Sequence, residues 1–120
     1  MDEGNTEEIW DENELFRRVP AANPNYLRED GSPTSLAFLP KKDTKGLSVD
    51  VAQLTTPEKS IINKRSFQLF QITAGEVRNI DQQCDCIHDP LPENYAHALI
   101  TGLNRKRSKK LSKKAVRIRC

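Results

Sequence analysis

The apolar residues of this chain come in short runs, too short for long helices, which limits it to a fold of small elements. The runs are ELFRRVP (Glu14 to Pro20), SLAFL (Ser35 to Leu39), LSVDV (Leu47 to Val51), SFQLFQIT (Ser66 to Thr73), AHALI (Ala96 to Ile100) and AVRI (Ala115 to Ile118). Charged or turn-forming residues separate them, among them Pro24, Asn25, Gly31 and Pro33 in the loop of residues 23–33. Segments of this length suit the strands of a small sheet. LSVDV alternates with period two, which places Leu47, Val49 and Val51 on one face and Ser48 and Asp50 on the other. SFQLFQIT also alternates, but its parity slips between Leu69 and Phe70, so a strand is expected there, with a bulge or a helical turn as alternatives.

Helical signals are fewer. TTPE at residues 55–58 offers Thr56 as a cap, Pro57 for the first helical position and the Thr55–Glu58 spacing of a capping box, so a short helix near 57–63 is expected. Ala74 to Ile80 reads as a helical turn or a continuing strand, and Cys86 to Pro92 as an extended, proline-punctuated segment. A basic helix near 104–114 keeps Leu103 and Leu111 as its apolar contacts. The sum is an α+β fold: a small, mainly antiparallel sheet with two or three short helices.

A chain of 120 residues suits one domain with one modest core. Hydrophobic residues make up 36% and charged residues 30%, which favours a compact body with polar ends. Residues 1–13 are expected to form an acidic, flexible arm carrying Ile9 and Trp10 as docking anchors, and residues 14–120 a single domain.

The net charge of +2 hides a split. Met1 to Glu14 holds seven acids and no base, whereas Asn104 to Cys120 holds nine bases and no acid. Such asymmetry points to a polyanion, to an acidic protein partner, or to mutual screening of the two ends. An odd set of three cysteines is a poor disulfide framework. The acidic start lacks the apolar stretch of a signal peptide and no run is long enough to cross a membrane, so a cytoplasmic protein is expected. Nothing in the sequence calls for a cofactor.

The segments LFRRVP, SPTSLAF, GLSVD, HDPLPENYAHALITG and KRSKKLSKKAVRI, in this order, resemble a widespread family of small uncharacterised bacterial proteins. The resemblance spans roughly Leu15 to Ile118, and DPLPENYAHALITG is its most specific piece. The family often carries an arginine before the proline at position 33, where this chain has Ser32. The resemblance implies a shared fold and a bacterial origin; it supplies no activity.

Several residues are candidates for chemistry. His97, between two alanines, is either an acid–base or phosphate-binding residue or a structural histidine tied to a carbonyl. Arg17 and Arg18 point to opposite strand faces, and an inward one needs an anionic ligand or an acid, with Asp50 and Asp89 the nearest partners by pattern. A Ser-His-Asp hydrolase can be drawn from Ser35 or Ser48, His97 and Asp50 or Asp89, without a Gly-x-Ser-x-Gly elbow or a glycine-rich oxyanion loop. Cys84, Cys86 and His88 are the one metal-like cluster; they lack a fourth ligand unless Cys120 or His97 supplies it. Asp89 to Asn94 (DPLPEN) is a stiff connection or a partner-fixing surface.

Arg105, Lys106, Arg107, Lys109, Lys110, Lys113 and Lys114 form the strongest electrostatic feature. On a helix Arg105, Lys109 and Lys113 share one cationic stripe and Lys106, Lys110 and Lys114 the next, relieved either by an external anion or by the acidic N-terminus. No aromatic residue is interleaved to stack on bases, so backbone-directed contact is the nucleic-acid mode expected. The leading expectation is a non-enzymatic accessory or adaptor protein of a bacterial multi-protein system, such as a defence system. It would bind a larger protein or nucleic acid through this helix. The alternative is a small enzyme or nucleotide-binding protein with a pocket built from Arg17 or Arg18, Ser35, Asp50 and His97.

Overall fold

The computed structural model describes residues 6–119. Among them, one six-stranded sheet is formed by β1 (Glu14–Pro20), β2 (Leu47–Val51), β3 (Phe67–Thr73), β4 (Asp85–His88), β5 (His97–Thr101) and β6 (Val116–Ile118). The strand order is β4-β5-β2-β1-β3-β6, with every pairing antiparallel. Three short helices, α1 (Pro57–Ile61), α2 (Ala74–Ile80) and α3 (Arg105–Ser112), complete an α+β fold.

Both faces of the sheet carry buried residues. On one face Leu15, Val19, Val49, Phe70, Ile72, Ala98 and Ile100 join the main core, together with Val77 of α2 and Leu111 of α3. On the other, Phe16 and Leu69 pack with Ile61 of α1 in a small second cluster. This two-sided burial explains the parity slip in β3. The β1–β3 register runs unbroken from Glu14–Thr73 to Pro20–Phe67, so there is no bulge. Leu69 and Phe70 point to opposite faces, and each meets a core.

SLAFL is not the strand expected; Ser35–Phe38 is a 3₁₀ turn. Its neighbours Ala37 and Phe38 are both buried, which alternation on a one-sided strand forbids. Pro33 and Pro40 flank it and offer no ladder donors. Ala74–Ile80 resolves as a helix, because Thr73 and Glu76 form a complete capping box. Asp85–His88, part of the expected extended segment, pairs with β5 as a strand.

Of the expected arm, residues 1–5 lie outside the described residues. From residue 6 the chain runs against the domain. Ile9 is 5% exposed and belongs to the main core. Arg78 of α2 fixes the segment by donating to Ile9 O at 2.6 Å and to Asp11 Oδ1 at 2.7 Å, while its Nε reaches Asp85. Further along, Glu7 N–H donates to His88 Nδ1 and Tyr95 donates to Glu7. Ile9 is therefore a core residue of this chain and no anchor for a partner; Trp10, 55% exposed, keeps its face to solvent.

Candidate functional site

Two features stand on opposite faces of the sheet. The first is α3. Ser108, Leu111 and Ser112 form its buried side, and Ser108 Oγ donates to Phe38 O at 2.8 Å. This orientation sends the basic residues outward. Arg105, Lys106, Lys109, Lys110, Lys113 and Lys114 are exposed, and no ion pair engages any of them among the described residues. Arg107 differs: it pairs with Asp81 at 3.3 Å and donates to Gly102 O and Gln83 Oε1, which ties α3 to the loop before β4. The acidic segment, as far as it is described, is tied to α2 and β4 and makes no ion pair with the cations of α3. The first turn of α3 contains no acid. The helix dipole disfavours cations there, so Arg105 and Lys106 weaken the helix rather than support it.

The second feature is a cleft of about 780 Å³ on the α1 face of the sheet. Strands β1, β2 and β5 form its floor, and α1 and the β4–β5 connection flank it. The β1–β2 ladder registers only at Leu15–Val51 and Phe16–Asp50. Beyond it, Arg17 closes the gap by donating from Nε to Ala37 O at 2.9 Å and from Nη1 to Ser48 O at 3.0 Å. Burial, with the neighbouring Arg18 charge as a lesser cause, lowers the Arg17 pKa to about 10. Arg18 donates to Ser60 O at 2.7 Å and lies over the Phe67 ring. Neither arginine meets the acid expected for it. Asp50 is buried, yet its two oxygens accept from Ser60 Oγ at 2.7 Å and Asn94 Nδ2 at 2.8 Å. Those donors are neutral, and Asp50 forms no ion pair with either arginine.

Ser48 and Asp50 share the polar face of β2, as the alternation of LSVDV implies, and His97 lies on the same face of β5 opposite Asp50. His97 Nε2 is 3.1 Å from Ser48 Oγ. Its Nδ1 is 2.9 Å from Asp89 O and 3.2 Å from Asp89 Oδ2. An N–H at Nδ1 facing these two acceptors leaves Nε2 as the acceptor of the Ser48 hydroxyl. Of the pocket expected from sequence, the structure brings together Arg18, Asp50 and His97, while Arg17 borders the cleft and sends its guanidinium to Ala37 O and Ser48 O. Ser35 does not join them: it opens the 3₁₀ turn packed on α3, and Ser48 occupies the place beside the histidine.

The Cys84–Cys86–His88 cluster does not make a metal site. His88 Nδ1 accepts the Glu7 N–H at 2.7 Å, so Nε2 carries the proton and donates to Tyr95 O at 2.7 Å. No ring lone pair remains for a cation. Cys84 is buried with its Sγ donating to Gly102 O, and burial pushes the Cys86 thiol up to about 12. No set of three or more ligands converges among the described residues, and Cys120 lies outside them. No helix among the described residues is long and apolar enough to cross a membrane. Comparisons with protein-family models, with curated proteins and with solved structures find no match to this chain.

Proposed function

We propose that this chain is an accessory or adaptor component of a bacterial multi-protein system, held to nucleic acid or to an acidic protein surface by the outer face of α3. The observation that carries the reading is the set of six exposed, unpaired bases on and just beyond one short helix. Like charges at i,i+4 repel, and cations in the first turn oppose the dipole. A surface built at the expense of its own helix gains when a polyanion covers it. The absence of interleaved aromatics favours contact with phosphates or carboxylates over base readout.

The test is anisotropy of a labelled 20-base-pair duplex and of labelled poly-glutamate, titrated with the full chain between low and moderate salt. With about four to six phosphates neutralised, log affinity for the duplex falls against log salt with a slope of roughly −4 to −5. Lys109→Glu with Lys113→Glu reduces that slope by about two and weakens binding at every salt concentration. Failure of both polymers to bind at low salt overturns the reading.

A further inference from the structure

The cleft on the other face goes beyond docking. Its volume of about 780 Å³ falls in the range of small-molecule sites, which runs to roughly 1,000 Å³. We propose that Ser48 is the nucleophile of an acyl-transfer site in this cleft, which takes a small ester bearing a negative charge.

Three observations converge on Ser48. First, it is exposed on the cleft face of β2 with its hydroxyl 3.1 Å from His97 Nε2, within reach for proton transfer. Second, the imidazole is oriented from behind: Nδ1 faces both Asp89 O and Asp89 Oδ2, so the ring keeps the tautomer that accepts a proton from serine and holds a carboxylate beside the imidazolium that forms. The two prolines of DPLPEN stiffen the segment that carries Asp89. Third, the cleft holds cations without ion-paired acids. Arg18 and Lys59 line it, and neither has a carboxylate within ion-pairing distance among the described residues. The acids that face the same space are buried Asp50, whose oxygens are taken, and Glu58 and Glu93 on the exposed rim. Arg18 and Lys59 are the charges an anionic substrate would meet, and they stabilise the charge that grows on the carbonyl oxygen during attack. No glycine-rich elbow is needed to present Ser48, because the strand itself turns its side chain into the cleft.

The reaction balances without a cofactor. Ser48 Oγ forms a bond to the ester carbonyl carbon as its proton passes to His97 Nε2. The bond from that carbon to the leaving alkoxide oxygen breaks, and His97 returns the proton to this oxygen. Water then attacks the acyl–serine carbon, gives a proton to His97, and releases the carboxylic acid as the proton returns to Ser48.

The test treats the full chain with a fluorophosphonate probe and reads intact mass and the modified peptide. It also follows hydrolysis of the mono-p-nitrophenyl ester of succinic acid against p-nitrophenyl acetate. The expected result is one phosphonyl group on Ser48 and none on Ser48→Ala, with circular dichroism unchanged because Ser48 is exposed. His97→Gln slows labelling by about a hundredfold or more, and Asp89→Asn slows it less, since the Asp89 carbonyl still faces Nδ1. Ser35→Ala labels like the native chain, and the charged ester is turned over in preference to acetate. Labelling no faster than in Ser48→Ala, labelling indifferent to His97→Gln, or modification of another serine overturns the assignment. Polyanion binding by α3 is scored separately, so either reading fails without the other.

Discussion

Ile9→Ala tests whether the acidic segment is part of the fold. Ile9 is 5% exposed in the main core, although it lies in a stretch whose composition reads as a solvated arm. Burying an isoleucine side chain contributes about 1.5–3 kcal/mol, and truncation to alanine in a filled core adds a cavity cost. The segment is held from outside as well, by Arg78 on Ile9 O and Asp11 and by the Asn13 side chain on Trp10 N. It can therefore close over the gap only in part. The expected destabilisation is about 2–4 kcal/mol. In urea, with an m-value of about 1.5–2 kcal/mol per M, the midpoint falls by roughly 1–2.7 M. Trp10→Ala is the internal control: Trp10 is 55% exposed and its loss moves the midpoint by a fraction of that amount. An Ile9→Ala midpoint within about 0.3 M of the native value refutes the reasoning, because a free arm contributes nothing on folding.

Two further outcomes follow from the backbone and the thiols. Gly102 has φ +83°, and an added Cβ would lie 2.1 Å from Gln83 O, so Gly102→Ala forces the loop before β4 off its place. Gly31 has φ +88° with nothing near an added Cβ, so Gly31→Ala meets only the backbone penalty of about 1 kcal/mol. Thermal melts should rank Gly102→Ala several degrees below Gly31→Ala, and equal melting points would contradict the close approach. Cys86 titrates at about 12 instead of its ordinary 9.0, with burial the main cause. Its folded-state pKa is raised, so the contribution is complete below about pH 9 and is lost as pH climbs from there toward 12, at no more than about 1.4 kcal/mol per pH unit. Alkaline unfolding of Cys86→Ala should lack this component, and identical pH profiles for the two chains would refute it.

The strands were legible wherever one face meets a core and the other meets solvent. Leu47, Val49 and Val51 alternate with Ser48 and Asp50, and the register follows. Legibility failed where both faces are covered. In β3, Leu69 and Phe70 are each buried, and period-two reasoning turns that into an apparent slip. It failed again at SLAFL, where an apolar run between prolines closes into a turn because adjacent side chains share one core. For α2 the signal was present: the Thr73–Glu76 spacing is the capping box that decides helix over strand. At the cleft, residue types pointed to His97, Asp50 and the arginines, but the choice between Ser35 and Ser48 depends on strand order. Only the β2–β5 pairing sets Ser48 diagonal to His97, a contact between residues 49 positions apart.

The cleft itself follows from how little chain is left to cover the second face. Six strands at about 4.8 Å spacing make a sheet roughly 24 Å across, while α1, with five residues, is only about 7.5 Å long. Such a helix covers β3 and the edge of β1, where Phe16, Leu69 and Ile61 meet. It leaves β2 and β5 open. Strands exposed in this way need polar side chains, and lysine or threonine would satisfy that need without further structure. What stands there instead is an interlocked set: Ser60 and Asn94 on Asp50, Asp89 on His97, and His97 on Ser48. Solvation alone does not require partners this specific. The residue that solvation least explains is Asp50, a carboxylate 6% exposed and held by neutral donors, one of which, Ser60, also accepts from Arg18 through its carbonyl. With Asp50 held by Ser60 and Asn94, Arg18 makes no ion pair, and its guanidinium is the group an anionic substrate would meet.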